Sequence, residues 1–306
     1  MNRGPRSAFF LTTAALLAGS ALAQSAAPVP VVQATGTQAT SQGGANRAVV
    51  LAGPNGPRII GSAELAGLEI YDPSGRRIGS VPAGEAVGLD LRYAGDGSAP
   101  TAIVVAADAE AGALRFYRPN ADSLVEVGAR PVPLTISVEG TCLYRSAQDG
   151  SLYAFALGDG GEVDQYLLFD DAQGRVDARL VRRLHLASTV EHCVADDATG
   201  QIYVGEQAVG IWRFDAEPEA EVVPTLIDAV RLGRITEEVG GLALYDGGDQ
   251  TRWLIASNAS AGQLYLYDRT RDDTFVNAVT VSAGSTAVGE PGGLFWRFET
   301  ADTAPV

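Results

Sequence analysis

The chain has 306 residues, with 22 basic side chains against 37 acidic ones and a formal charge of −15; it contains no lysine, so every basic side chain is an arginine. Such an acidic balance excludes nucleic acid and anionic membrane as natural partners, because both would meet a repelling surface, and it suits divalent cations instead. The length fits one large β domain or two small ones.

In chain order, the first residues read as a secretory signal over residues 1–23. Arg3 and Arg6 give a positive start, residues 8–17 an apolar core, and Ala21-Leu22-Ala23 a small-residue cleavage site. The apolar core is too short to cross a bilayer as a helix, and no later segment approaches about 20 apolar residues. The expected location is therefore the periplasm or the medium, with no membrane span. Cleavage leaves 20 basic against 37 acidic side chains, a formal charge of −17. Residues 24–46 are rich in Ala, Gln, Thr, Ser and Gly. They lack periodicity and cannot bury enough apolar surface to offset the entropy of ordering, which reads as a flexible leader.

From residue 47 to 299 the chain resembles itself at a period of about 46 to 53 residues. One series of short strands ends in an aromatic: Gly67 to Tyr71, Ala113 to Tyr117, Val163 to Tyr166, Gly210 to Phe214 and Gln263 to Tyr267. Ahead of each lies an apolar strand of small residues: Arg58 to Ala63, Ala102 to Ala107, Leu152 to Leu157, Ile202 to Gly205 and Trp253 to Ser257. A third series comprises Val87 to Leu91, Val138 to Tyr144, Val190 to Val194, Val239 to Tyr245 and Pro291 to Trp296. Short strands separated by turns such as Asp72-Pro-Ser-Gly75 and Asp149-Gly150 indicate antiparallel meanders. A period near 50 residues is that of a four-stranded propeller blade. The fold class expected is all-β, a β-propeller of four-stranded blades with five units. The third series, rich in small residues, belongs on the axis, where strands crowd. Ring closure is expected to join the region of Ala48 to Leu51 with residues 292–298, and residues 300–306 read as a linker-like tail.

Common enzyme signatures are missing: there is no Gly-x-Ser-x-Gly elbow, no phosphate-binding loop and no His-Glu-x-x-His. His185 and His192, the only histidines, read as surface or structural residues. Glu139, Glu191 and Glu238 recur on the axial strands, with Glu206 at the end of a second strand. Converging carboxylates repel unless a hard cation neutralises them, which makes these four candidate calcium ligands; the other reading is that they line a hydrated channel. Cys142 and Cys193 form either a disulfide, which an exported protein can keep, or two separate buried thiols.

The segment Glu191-His-Cys-Val-Ala-Asp-Asp-Ala-Thr-Gly-Gln-Ile-Tyr-Val-Gly-Glu-Gln-Ala-Val-Gly-Ile-Trp-Arg-Phe-Asp-Ala-Glu-Pro218 closely resembles the β-propeller phytases. These are calcium-dependent enzymes that release phosphate from phytate, myo-inositol hexakisphosphate. Weaker similarity extends over about residues 58 to 298. The resemblance implies six blades, several calcium ions at the channel mouth, and Lys and Arg side chains that grip phosphate. Carried over residue by residue, Glu191 and Glu206 match two calcium ligands, Glu238 stands for an Asp, and Glu139 stands for a ligand Tyr. Gly240 takes the place of a ligand Glu. Asp159-Gly160 replaces Lys-Glu, the stretch Asp108-Ala-Glu110 replaces a phosphate-gripping Arg, and Ala63 and Glu64 fall where lysines are expected. The early Asp-rich segment has no counterpart before Ala48, and in residues 282–291, which replace the late acidic loop, Glu290 is the one acid. Two functions follow from this pattern. One is an exported phytase with weak or lost activity on phytate or another phosphorylated small molecule. The other is a non-catalytic accessory or binding propeller, the partial half of a tandem phytase.

Export should remove residues 1–23, so the mass of the secreted protein is expected to begin at Gln24; an intact Met1 would overturn the signal reading.

Overall fold

A strand whose two sides are both apolar needs a sheet packed on each face, and the second strands of this chain are of that kind. In a computed structural model, described for residues 31–33, 44, 47–52, 56–63, 65–94, 101–120, 123–247, 251–283 and 286–287, they lie inside a radial stack of five antiparallel sheets. Blade 1 holds Ala48–Leu51, Arg58–Ser62, Leu68–Tyr71 and Arg77–Val81. Blade 2 holds Ala86–Ala94, Thr101–Asp108 and Ala113–Asn120, with an outer strand in two pieces, Ser123–Glu126 and Val132–Pro133. Blade 3 comprises Val138–Arg145, Leu152–Gly158, Glu162–Asp170 and Val176–His185. Blade 4 comprises Val190–Asp196, Gln201–Glu206, Gly210–Asp215 and Thr225–Ala229, and blade 5 Leu242–Asp246, Arg252–Asn258, Gln263–Asp268 and Thr274–Ala283. The protein is thus an all-β propeller, as the period requires.

Alternation along each strand sends successive residues to opposite neighbours. Ala102, Val104 and Ala106 pack toward blade 1 with Ile60, Leu68 and Ile70. Ile103, Val105 and Ala107 pack toward blade 3 with Leu143, Ala154 and Ala156. Tyr153, Phe155 and Leu157 face blade 4, meeting Ile202, Val204 and Phe214, and Tyr203 and Ile211 meet Leu254, Tyr265 and Tyr267 of blade 5. Hydrogen bonds fasten the same joints: Tyr144 donates to Glu217 at 2.6 Å, Tyr203 to Asp273 at 2.9 Å and Tyr267 to Asp228 at 2.8 Å. Among the described residues, no hydrophobic core joins blade 5 to blade 1. Residues 292–298, expected to close the ring, lie outside the described residues, whereas Ala48–Leu51 forms the inner strand of blade 1 and pairs with Arg58–Ser62. Within the stretch read as a leader, Val31–Gln33 forms a strand parallel to Thr280, Val281 and Ser282 at the rim of blade 5.

Four members of the third series supply the axial strands of blades 2 to 5; the fifth, Pro291 to Trp296, lies outside the described residues, and Ala48–Leu51 is the axial strand of blade 1. Val49, Leu91, Thr141, Val194 and Leu244, one from each blade, line a central cavity of about 220 Å³. Neighbouring axial strands touch so closely that a side chain is excluded at Gly140, where a Cβ would lie 2.1 Å from the carbonyl oxygen of Glu191. Next to this contact Cys142 and Cys193 form a disulfide between blades 3 and 4, with a Cα–Cα distance of 5.9 Å. Because the bond closes a loop across 51 positions, the double substitution of Cys142 and Cys193 by Ser should lower stability by about 4 kcal/mol. Denaturant midpoints under oxidising conditions measure this, and equal midpoints would refute it.

Candidate functional site

The N-terminal ends of the axial strands form a mouth, and a repeated irregularity in their pairing aims side chains into it. In blade 3 the register steps from Val138 opposite Gly158 to Gly140 opposite Leu157, leaving Glu139 as the extra residue. Blade 4 does the same around Glu191 and blade 2 around Val87. Such bulges break the ladder locally and re-aim the residue they contain. In blade 5 Gly240 falls at the corresponding place, held by a hydrogen bond from its N–H to the Ser257 carbonyl at 3.0 Å. The bulge positions of blades 2 to 5 therefore carry Val87, Glu139, Glu191 and Gly240, two acids out of four.

The charge of Glu191 reaches Glu139. Burial pushes the Glu139 carboxyl up, and the nearby charges of Glu191, Asp159 and Glu85 push it further. Glu191 is also raised, first by burial and then by Glu238, with the positive charge of Arg47 opposing. A carboxyl raised on folding favours the folded state most below the ordinary carboxylate range, and that contribution is lost as pH rises through its folded value. At neutral pH both acids therefore strain the mouth. Glu238 lies in the approach to the blade 5 axial strand and accepts a hydrogen bond from Gln207 at 3.1 Å.

Glu206 is placed differently from the other three. Only 1 % exposed, it ends the second strand of blade 4. Its Oε1 accepts from the N–H groups of Ala187 and Ser188 and from the Ser188 hydroxyl, at 2.9, 2.8 and 2.9 Å. Its Oε2 accepts from the Trp212 indole at 2.7 Å. The carboxylate thus clamps the loop that leads into its own blade. Asn258 repeats the device in blade 5, where Thr236 donates to it through its hydroxyl at 3.1 Å. The structure brings Glu139, Glu191 and Glu238 into one electrostatic group, joined by Asp159 and Glu85, and commits Glu206 to the scaffold.

Two residues at this end had no functional reading in the sequence. Arg47, 4 % exposed, precedes the blade 1 axial strand and reaches across to blade 4. There its Nη2 donates to the Glu191 carbonyl at 2.5 Å and to Nδ1 of His192. His192, at 9 % exposure, is a buried structural residue. Burial, reinforced by Arg47, lowers its pKa well below the usual histidine range and keeps it neutral, which fits its role as acceptor.

A family model described as Phytase matches residues 7–291. The chain belongs to the phytase family. This phytase-family propeller is 28% identical over 245 residues to a 3-phytase of Bacillus subtilis (strain 168), the alignment covering 77% of the chain and 64% of that relative. It therefore matches less than two thirds of the relative's length. Among solved structures the β-propeller domain of Myceliophteria thermophila Cps50 (Swd1) is similar, with a TM-score of 0.51 at 14% identity, covering 82% of this chain and 76% of that one; this likeness concerns the fold alone.

Calcium is the cofactor that the phytase family implies, and the donor set present does not fit a ready-made centre for it. Ca²⁺ takes six to eight oxygen ligands, and among the described residues no three carboxylate, histidine or cysteine side chains come together closely enough to hold an ion. Glu206 is saturated by protein donors, and Gly240 offers no side chain. If Glu206 is a clamp and not a ligand, Glu206→Gln should destabilise the protein by about 1–3 kcal/mol, because an amide faces donors with a donor. The loss should be equal in EDTA and in calcium; a loss seen only in calcium would return Glu206 to the metal.

Proposed function

We propose that this chain is an exported propeller of the phytase family whose release of phosphate from phytate is weak or lost. The observation that supports this reading is the mouth itself, where the charges of Glu85, Asp159 and Glu191 bear on Glu139 and that of Glu238 bears on Glu191. A polyanionic substrate meets carboxylates there instead of grips. There is no lysine in the chain, and Asp159 and Gly160 occupy the loop where the family resemblance leads one to expect Lys-Glu. Arg115, near the stretch that replaces the gripping Arg, is committed to Asp108 at 2.8 Å.

The energetic consequence is large. If each lost grip or ligand acts like a lost oxyanion donor, it removes roughly 3–4 kcal/mol of transition-state stabilisation, and two such losses lower a rate by about four to six orders of magnitude. The same set of replacements favours a second reading, a non-catalytic binding or accessory propeller of the family. Calcium would find Glu139, Glu191 and Glu238 as its acidic donors at the mouth, too few and too dispersed for tight binding. Export rests on residues 1–23, and the Cys142–Cys193 disulfide suits an oxidising compartment.

Purified protein is expected to release little or no phosphate from phytate between about pH 5 and 8, with or without millimolar calcium. Glu191→Ala serves as the control. Robust turnover that the control loses would make the chain a working phytase and overturn this reading.

A further inference from the structure

At the position that follows the bulge, blades 2 and 3 carry Gly88 and Gly140, and a Cβ on either would strike the backbone of the next axial strand. Blade 4 has His192 there instead. Its ring is buried and accepts a hydrogen bond from Arg47, 145 positions earlier in the chain. The main chain of Arg47 is fixed as well: its N–H donates to the Ser62 hydroxyl and its carbonyl accepts from the Ser62 N–H, both at 2.7 Å. Arg47 is thus held at both ends, its main chain by Ser62 of blade 1 and its guanidinium by the Glu191 carbonyl and the His192 ring of blade 4.

Charge explains why it is held there. Burial works against the cation and brings its pKa down to about 10, while Asp90 of blade 2 and Glu191 of blade 4 both favour the charged form. Arg47 therefore stays protonated at neutral pH, within electrostatic reach of carboxylates from two different blades. A divalent ion approaching Glu191 would have to share the floor of the mouth with this immobile positive charge. In a poorly solvated site that repulsion is far stronger than in water.

We infer that Arg47 is the built-in counter-cation of the mouth, taking the neutralising place that a metal ion would fill and letting the propeller hold its axial acids together without calcium. This rests on the proposed function only in taking the mouth as the family's cation site. Its test reads folding and not phosphate release, so either idea can fail while the other stands.

The experiment compares melting temperatures in EDTA and in about 5 mM calcium chloride for the full chain and for Arg47→Met, Arg47→Lys and Arg47→Met combined with Glu191→Gln. The wild-type protein and Arg47→Lys, which keep a cation, should melt alike in both conditions. Arg47→Met should melt lower in EDTA and recover by about 3 °C or more in calcium, because the ion then binds the native state alone. The double variant removes the acid along with its partner and should lose the calcium response. A variant that folds only in calcium supports the inference equally. A wild-type protein that calcium stabilises as much as Arg47→Met would overturn it, since metal and Arg47 would then coexist. Destabilisation of Arg47→Met that neither calcium nor Glu191→Gln relieves would also overturn it, by showing a packing role and not a charge role.

Discussion

The architecture depends on the close approach of neighbouring axial strands. At Gly140 the backbone of blade 3 lies against the carbonyl of Glu191 with no room for a methyl group, and everything placed at the mouth inherits that spacing. Blades this close bury both faces of the second strands of blades 2, 3 and 4, which is why small and branched apolar residues fill them. The same approach brings the bulged acids of blades 3 and 4 within reach of each other's charge. Packing sets the distance, and electrostatics must be resolved at that distance.

Two means of resolving it coexist in this molecule. Acids at strand ends are neutralised by saturation: Asp108 takes an ion pair with Arg115 at 2.8 Å, and Glu206 collects four hydrogen bonds. On the axis, arginines bridge non-adjacent blades. At the C-terminal ends of the axial strands Arg92 of blade 2 donates to Asp197 of blade 4 at 2.9 Å and to Asp90 at 3.0 Å, while Arg47 serves the opposite end. The axis is thus capped by an arginine near each face. A core charge that is paired and hydrogen-bonded in this way does not necessarily add stability, but leaving its partner alone is strongly unfavourable.

The blades were legible in the sequence because their signal is local and repeated. An apolar strand of small residues followed by one ending in an aromatic recurs five times, and the structure puts each pair in one sheet. Glu139 and Glu191 were legible as axial acids for the same reason, since Val138 and Val190 stand in one register. Arg47 was not, because its partners lie 144 and 145 positions away and it sits at the edge of a stretch without periodicity. The role of Glu206 was hidden for another reason. A carboxylate at a strand end looks the same in sequence whether metal or backbone N–H groups satisfy it, and only the loop of Ala187 and Ser188 decides. Val31–Gln33 carries too few residues to show alternation, and its pairing is parallel and remote.

The disulfide joins blades 3 and 4 directly beside the two bulged acids, since Cys142 stands three residues after Glu139 and Cys193 two after Glu191. Native proteins open locally, in units, before they unfold as a whole. A covalent bond at this joint keeps the inner strands of blades 3 and 4 together through such openings. Glu139 and Glu191 therefore keep their spacing, and their mutual repulsion, even when the packing around them loosens.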